Sequence, residues 1–221
     1  MGTAELVDEL ITEGVLHTPQ IIEAFRHIDR ADFVPERLKD EAYVNAPLPI
    51  GLGQTISQPL TVAFMLELLQ PQSGDKVLDI GSGSGWQTAL LAYMVSKKER
   101  GRIIGLEIVP ELHQWSIENI SKYNYITSGI VQMHCYNAHD GFPREAPFDK
   151  IIAAAALLGE PRLTTRAALE EIPPAWKGQL KVGGRLVAPV YSSLVLLIKK
   201  ADNEFEEHEY PGFVFVPFIP I

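Results

Sequence analysis

Apolar residues recur with helical spacing in the first third of the chain. Two such stretches, residues 4–14 and 18–28, predict a pair of helices, and Gly14 can end the first of them. Residues 31–49 lose this spacing and contain prolines 35, 47 and 49, which predicts an ordered loop. A third helical pattern follows Ser57, a candidate N-cap, and continues to Leu69. Residues 1–75 are therefore predicted to form a helical cap interrupted by a loop.

From residue 76 the pattern changes to short apolar runs that alternate with helical stretches. The predicted strands are residues 77–80, 103–108, 130–136 and 148–156, and the predicted helices between them are residues 86–95 and 110–123. Alternation of this kind predicts a parallel α/β sheet with right-handed crossovers. Three further runs, residues 186–190, 194–199 and 213–218, are joined by short polar turns, so the sheet is expected to finish with antiparallel strands.

Neither an internal repeat nor a low-complexity tract or linker interrupts these patterns. We therefore expect one Rossmann-like α/β domain over residues 1–221, with a cap and loop in residues 1–75 and a core in residues 76–221.

The composition narrows the range of partners and compartments. The 19 Lys and Arg against 28 Asp and Glu give a formal net charge of −9, which disfavours nonspecific binding to nucleic acid. The single cysteine, Cys135, lies in an apolar run, so we expect a buried thiol and a reducing compartment. Apolar runs stay shorter than the roughly 20 residues that span a bilayer, and the acidic N-terminus is unlike a signal peptide. We expect a cytoplasmic monomer that binds neither membranes nor nucleic acid.

Glycines alternate with serines between the first predicted strand of the core and its helix, in the order Gly81, Ser82, Gly83, Ser84, Gly85. This spacing differs from the dinucleotide fingerprint G-x-G-x-x-G, whose last position is Trp86 here, and from the phosphate loop G-x-x-x-x-G-K-[ST]. Small residues before a helix still favour a nucleotide-like ligand, because backbone N–H groups can approach it closely. A plain tight connection between strand and helix is the alternative.

Carboxylates are predicted at the strand ends beside this loop. Glu107 ends the next strand, where it could accept hydrogen bonds from two ribose hydroxyls. Asp140 and Gly141 follow the third strand, where a carboxylate could accept a hydrogen bond from the amine of adenine. Asp79 lies beside the loop and contacts the ligand or has a structural role. A ligand with a ribose and a base but no phosphates fits this set, and we predict S-adenosylmethionine. The six histidines lack paired ligand spacing, so no metal is expected.

Seven stretches of the chain occur in an order typical of one family. They are GQTISQP (53–59), VLDIGSGSGWQTALLA (77–92), LEIVPEL (106–112), the Asp140-Gly141 pair, APFDKII (146–152), QLKVGGRLVAPV (179–190) and the Phe-Val-Pro before Phe218. On these motifs the chain resembles the protein-L-isoaspartate O-methyltransferases over nearly its whole length. The glycine motif alone would indicate only a methyltransferase, whereas GQTISQP is much more specific.

The resemblance implies an S-adenosylmethionine-dependent methyltransferase fold, with the substrate loop in residues 1–75 and the cofactor-binding core in residues 76–221. It implies methyl transfer to the free carboxylate of L-isoaspartyl residues in damaged proteins or peptides, which leaves S-adenosylhomocysteine and an ester that closes to a succinimide. Ser57 is carried over as the active-site serine. Gly81–Gly85, Glu107 and Asp140-Gly141 are carried over for the cofactor.

This chemistry agrees with the lack of an obvious acid–base pair in the sequence. A carboxylate that resembles an α-carboxyl, with a pKa of about 3.3–3.7, is already ionised at neutral pH. The site has only to hold the carboxylate oxygen, methyl carbon and sulfur in line. Ser57 would donate a hydrogen bond to the carboxylate, and Thr55 and Ile56 would shape its approach. Helix capping is the alternative role of the Ser57 hydroxyl.

The chain departs from the family at three places. Leu52 stands where an aromatic residue or histidine is common, and residues 153–156 are alanines where a threonine is common. Residues 157–171 add about 12 residues at the carboxyl end of a predicted strand, the side where such sheets bind ligands. We expect a lid, a specificity element or a plain surface helix there, and we expect its deletion to change peptide selectivity while cofactor binding survives.

Two other functions agree with the same sequence. One is a peptide-tailoring methyltransferase that esterifies ordinary aspartate in a dedicated precursor. The other is a noncatalytic protein that binds S-adenosylmethionine and has kept the fold.

Overall fold

The computed structural model describes residues 2–157 and 167–218 of the 221-residue chain. The N-terminal third consists of α1 (Thr3–Thr12), α2 (Pro19–His27), a hairpin of β1 (Leu48–Gly51) and β2 (Gln54–Ile56), and α3 (Pro59–Leu69). The following part contains β3 (Lys76–Ile80), α4 (Trp86–Val95), β4 (Arg102–Glu107), α5 (Pro110–Ser121), β5 (Val131–Cys135) and β6 (Phe148–Ala153). The last part contains α6 (Ala167–Glu171), α7 (Pro174–Gln179), β7 (Leu180–Val190), β8 (Ser193–Ala201) and β9 (Glu204–Pro211).

Within the described residues, seven strands form one sheet in the order β5-β4-β3-β6-β7-β8-β9. The strands from β5 to β7 run parallel, and β8 and β9 are antiparallel to their neighbours. The chain moves outward from β3 to β5 and then returns to the other side of β3 with β6. This reversal leaves a crevice at the carboxyl ends of β3 and β6, where sheets of this type bind ligands. The predicted parallel sheet with an antiparallel finish is confirmed.

The burial of α4 shows why this helix carries few polar residues. Nine of its ten residues are buried, because one face packs on the sheet and another face contacts the cap helix α2. Phe25 of α2 meets Trp86, the first residue of α4, edge to face with 5.5 Å between the ring centroids. Leu6, Leu10 and Leu66 belong to the same continuous hydrophobic cluster. The cap and the sheet therefore share one core.

A buried carboxylate joins α3 to the start of α2. Glu67 is 7% exposed and accepts hydrogen bonds from the backbone N–H groups of His17 and Thr18, at 2.9 and 2.8 Å. It also accepts from the Thr18 hydroxyl at 2.6 Å. Thr18 is the N-cap of α2, and its hydroxyl bonds to Glu67 instead of to its own helix.

The structure corrects two sequence expectations. The last antiparallel strand is β9, and residues 213–218 form no strand apart from a single bridge between Ala156 and Pro217. The acidic sequence of β9 obscured it, because an edge strand tolerates charges that an inner strand does not. Cys135 is exposed at the end of β5 instead of buried.

Most of the inserted stretch lies outside the described residues. Of the predicted insertion 157–171, the structure describes Leu157, which forms a bridge with Val190, and the short helix α6. Across the described part of the chain, every helix is too short or too polar to cross a membrane.

Candidate active site

A pocket opens at the crevice beside β3, and the ends of four parallel strands contribute to its wall. Residues that follow or end β3, β4, β5 and β6 all line it, and the hairpin strand β2 with Ser57 closes one side. Of the described residues in the wall, Glu107 alone carries a charged side chain. The pocket therefore suits a ligand that is bound by hydrogen bonds and apolar contacts. It is less suited to phosphates, which cationic side chains usually bind.

The glycine loop after β3 has the backbone geometry that its sequence indicates. Gly81, Gly83 and Gly85 have φ values of 75°, 53° and 89°, a left-handed region that side chains disfavour. A Cβ at Gly85 would also lie 2.9 Å from the Ile120 side chain. The four residues from Gly81 to Ser84 line the pocket, and Gly85 is the N-cap of α4. The alternating glycines thus let the chain turn sharply from strand to helix against the ligand space.

Glu107 ties the glycine loop to the end of β4. One carboxylate oxygen accepts from the Gly83 N–H at 2.8 Å and the other accepts from the Val109 N–H at 3.0 Å. The side chain is 6% exposed and lines the pocket. Because each carboxylate oxygen has two lone pairs, both can still accept a hydrogen bond from a ligand. The predicted ribose-binding position is therefore held rigidly in the pocket wall.

Asp79 lies on β3, behind the pocket wall. Its two oxygens accept from the Gln87 amide at 2.8 Å and the Thr88 hydroxyl at 2.6 Å, both on the first turns of α4. Complete burial raises the pKa of Asp79 to about 6, although these two hydrogen bonds act in the opposite direction. These contacts fit the structural role that the sequence offered for Asp79 as an alternative to ligand contact. Through them Asp79 fixes the start of α4 against β3.

The Asp140-Gly141 pair lies just beyond the pocket wall. Asp140 is exposed, and its carbonyl accepts from the Gln179 amide at 2.8 Å. The wall at the end of β5 consists instead of Tyr136, Asn137 and Ala138. Sequence reasoning missed these three residues, although their position directly after a parallel strand is a usable signal.

The stretch around Ser57 joins the pocket to a second groove. Thr55, Ile56 and Ser57 line the pocket, and Thr55 and Ser57 also line a neighbouring groove bounded by Gln58 and residues 212–216. Helix α3 begins at Pro59 with Gln58 as its N-cap and without a capping side-chain hydrogen bond. The Ser57 hydroxyl is therefore not used as the helix cap that the sequence offered as an alternative.

A family model for protein-L-isoaspartate(D-aspartate) O-methyltransferase matches residues 1–220. The chain belongs to this family. Curated relatives named protein-L-isoaspartate O-methyltransferase include one from Methanopyrus kandleri, 39% identical over 218 residues that cover 97% of this chain and 89% of the relative. Another, from Pyrobaculum neutrophilum, is 36% identical over 98% of this chain and 97% of the relative. The family resemblance inferred from the motifs is confirmed.

Solved structures show the same fold. A Plasmodium falciparum chain, described as a protein-L-isoaspartate O-methyltransferase in complex with S-adenosyl-L-homocysteine, superposes with a TM-score of 0.82. The two chains are 23% identical, and the match covers 99% of each. The Rossmann-like fold expected for an S-adenosylmethionine-dependent methyltransferase is therefore the fold of this chain.

Arg30 lies near the site of this methyltransferase-family chain, although the sequence did not indicate it as a site residue. Arg30 follows α2 and is 1% exposed, and its guanidinium donates to the Ser57 carbonyl at 3.0 Å. Most arginines are exposed, so a lone arginine after a helix does not indicate a buried position. The closing segment, residues 216–218, also lines the pocket and was interpreted from the sequence as part of a strand.

Proposed function

We propose that the protein transfers a methyl group from S-adenosylmethionine to the free carboxylate of L-isoaspartyl residues in damaged proteins or peptides. The resulting ester closes to a succinimide, whose hydrolysis returns some normal aspartyl residues. The observation that carries this proposal is the position of Ser57 at the junction of two spaces. One space is the pocket beside the glycine loop, and the other is the groove along residues 212–216, which is open to a peptide.

The residues of the pocket fit S-adenosylmethionine. Glu107 would hold the ribose hydroxyls, and the glycine loop would lie against the amino-acid portion. Ser82 Oγ and Trp86 Nε1 are buried polar atoms of pocket-lining residues that lack a hydrogen-bond partner, and such atoms are rare in native proteins without a ligand or water. When bound, the cofactor supplies an electrophilic methyl group on a sulfonium ion.

The adenine would lie at the end of β5. Tyr136, Asn137 and Ala138 form the wall there, and Trp176 holds the Ala138 carbonyl with a 2.6 Å hydrogen bond. Asp140 keeps its proposed role as acceptor for the adenine amine, which requires its exposed carboxylate to turn toward the pocket. Asp79 and Gly141 remain part of the proposed cofactor site as supports of its walls. Asp79 holds the start of α4, and Gly141 packs so closely on the Gln179 side chain that a Cβ there would clash with it.

The protein's own residues need only position the acceptor and exclude water. An isoaspartyl α-carboxylate is ionised at neutral pH, so no residue has to remove a proton before it attacks. Ser57 would donate a hydrogen bond to one carboxylate oxygen and direct the other toward the methyl group. Thr55 and Ile56 would border the path of the peptide. Removal of water strengthens this arrangement, because the acceptor and donor charges cancel as the methyl moves.

The decisive experiment supplies radiolabelled cofactor and measures base-labile methyl ester, released as methanol, on paired isoaspartyl and aspartyl peptides of one sequence. We expect ester on the isoaspartyl peptide only. Equal rates on the two peptides would favour the aspartate-tailoring function. Cofactor binding without any ester would favour a noncatalytic protein.

The Ser57→Ala variant tests the proposed catalytic residue. Loss of the hydrogen bond that positions the acceptor should lower the rate of methyl transfer by about 10–100-fold while the melting temperature changes little. Ser121→Ala is the matched control, because the Ser121 hydroxyl bonds within α5 to the Ile117 carbonyl. Full activity in a folded Ser57→Ala protein would exclude the catalytic role.

We further propose that the protein works as a monomer in the reducing cytoplasm. The formal charge of −9 favours mutual repulsion of copies. Four glutamates on the edge strand β9 (Glu204, Glu206, Glu207 and Glu209) discourage pairing with a second sheet. Light scattering coupled to size-exclusion chromatography should give the mass of one chain, 24.5 kDa.

A further inference from the structure

A buried cation lies at the meeting point of the acceptor and donor sides of the site. The Arg30 guanidinium is 1% exposed, and one of its terminal nitrogens, Nη2, donates to the Ser57 carbonyl at 3.0 Å. The guanidinium carbon also lies over the Trp86 ring, 5.2 Å from the ring centroid. Trp86 is the first residue of α4 and directly follows the glycine loop. The Arg30 guanidinium thus contacts both Ser57, the proposed active-site serine, and Trp86, which begins α4 directly after the glycine loop.

The other partners of Arg30 belong to a single loop. Nη1 donates to the carbonyls of Ala42 and Val44, at 2.7 and 3.3 Å, and Nη2 donates to the Ala46 carbonyl at 3.0 Å. All four acceptors are therefore main-chain carbonyls. Burial lowers the pKa of Arg30 to about 10, which still leaves it protonated at neutral pH. A neutral or shorter side chain could not reach four diverging carbonyls, since only the planar guanidinium presents its donors as a fixed fork.

The same loop also holds the residues that follow Ser57. The Asn45 side-chain oxygen accepts from the Leu60 N–H at 3.0 Å, on the first turn of α3, and the Asn45 carbonyl accepts from the Gln58 amide at 3.0 Å. Residues 57–60 are thus bound at three points by Arg30 and Asn45. We call Arg30 together with residues 42–46 the arginine clamp.

We infer that Arg30 is a positioning residue for methyl transfer, which holds the Ser57 main chain at a fixed distance from the start of α4 and thereby sets the approach of the acceptor to the methyl donor. This inference rests on the proposed function. The physical reason is that in-line transfer is very sensitive to the separation of the reacting atoms, and a displacement of about 1 Å can cost about 100-fold in rate. Cofactor binding, by contrast, depends mainly on the glycine loop and Glu107, which Arg30 does not contact directly.

The test compares Arg30→Lys and Arg30→Met with the wild type. For each protein, kcat and KM are measured on an isoaspartyl peptide, and the affinity for S-adenosylhomocysteine is measured by calorimetry. We expect kcat per folded molecule to fall by about 100-fold, with less loss in the lysine variant, while the S-adenosylhomocysteine affinity stays within about threefold. A lower melting temperature with an unchanged kcat at a temperature where the variants are fully folded would overturn the inference.

Arg185→Lys is the matched control. Arg185 also binds a main-chain carbonyl, that of Leu68 at 2.7 Å, but it lies within β7 in register with Lys150 of β6, and neither of these two residues lines the pocket. Its replacement should leave kcat unchanged. A wild-type protein that forms no ester on any peptide would contradict the proposed function, whereas an active wild type with active Arg30 variants would contradict this inference alone.

Asn45→Ala provides a second route if the Arg30 variants do not fold. It removes the side-chain contact to Leu60 and leaves the four bonds of Arg30 in place. We expect a smaller decrease in kcat, about three- to tenfold, again without a change in S-adenosylhomocysteine affinity. An unchanged kcat in this variant would overturn the positioning role of the clamp.

Discussion

At the scale of single residues, Glu107 links two parts of the site by its two carboxylate oxygens. It orients Gly83 and Val109 and still has lone pairs directed to the pocket. Its position at the end of a strand was evident from the sequence, but its hydrogen bonds to the glycine loop were not. Glu107 thus fixes the wall of the pocket and, in the function that we propose, would also hold the ligand.

Glu107→Gln should weaken binding of S-adenosylhomocysteine by about 10–100-fold, because hydrogen bonds to a charged group are worth about 1.5–3 kcal/mol. The glutamine amide would also turn its N–H₂ toward one of two backbone N–H groups that now bind carboxylate oxygens. Calorimetric titration measures the effect. Glu118→Gln, on the exposed face of α5, is the control and should bind normally. Equal affinities for the two variants would contradict the ribose-binding role.

Asp79 should make stability depend on pH. Its folded-state pKa of about 6 lies above its ordinary value of 3.8, so the folded protein holds this proton more tightly than the unfolded chain. The resulting contribution is complete below about pH 4 and is lost as the pH rises through 6, a change of about 3 kcal/mol. Urea unfolding of the wild type and Asp79→Asn between pH 4 and 8 measures it. As the pH rises across this window, the free energy of unfolding of the wild type should fall relative to that of Asp79→Asn. A constant difference between the two proteins would contradict the assignment.

At the scale of elements, the contact between α3 and the start of α2 depends on one buried carboxylate. Glu67 satisfies two backbone N–H groups and a hydroxyl that precede or begin α2. These donors would be left without partners if the carboxylate were removed, and buried unpaired donors are costly.

Glu67→Ala should lower the free energy of unfolding by about 3 kcal/mol or more. Urea denaturation followed by far-UV circular dichroism gives this value. Glu23→Ala is the comparison, because Glu23 forms an ion pair with Lys97 and is half-exposed. Exposed pairs are worth about 0–1 kcal/mol, so its loss should be small. Similar losses in the two variants would show that Glu67 has no special role at this junction.

At the scale of the whole molecule, the cap and the sheet share one hydrophobic cluster. Leu10, Phe25 and Leu66 from the cap belong to the same hydrophobic cluster as Leu90 and Ile103 from the core. Neither part can bury these side chains alone. The single-domain organisation over residues 1–221 is accordingly our proposal for the full chain.

The full-length protein should unfold in one transition, with coincident curves from tryptophan fluorescence and far-UV circular dichroism. A fragment that contains only residues 76–221 should lack a cooperative transition, because it would expose Trp86 and the other α4 side chains that now face α2. Two separate transitions, or a stable fragment, would show that the cap and the core are independent.

The sequence by itself determined the order of the alternating strands and helices from β3 to β6, the parallel sheet and the family. Hydrophobic period distinguishes strand from helix, and the alternate glycines of the loop permit a left-handed backbone there. Short motifs such as GQTISQP carry their identity locally. The strand at residues 213–218 was wrong because the period of a short apolar run does not show whether a neighbouring strand is available, and β8 pairs with the acidic β9 instead.

Only the tertiary structure decided how the site is held together. Arg30 and Glu67 are polar residues whose sequence positions give no indication of burial, because they have partners that are distant in the chain. Arg30 reaches the carbonyl of residue 57, and Glu67 reaches residues 17 and 18. Burial of a polar group is favourable only when such partners are present, and packing of the whole chain is what brings them together.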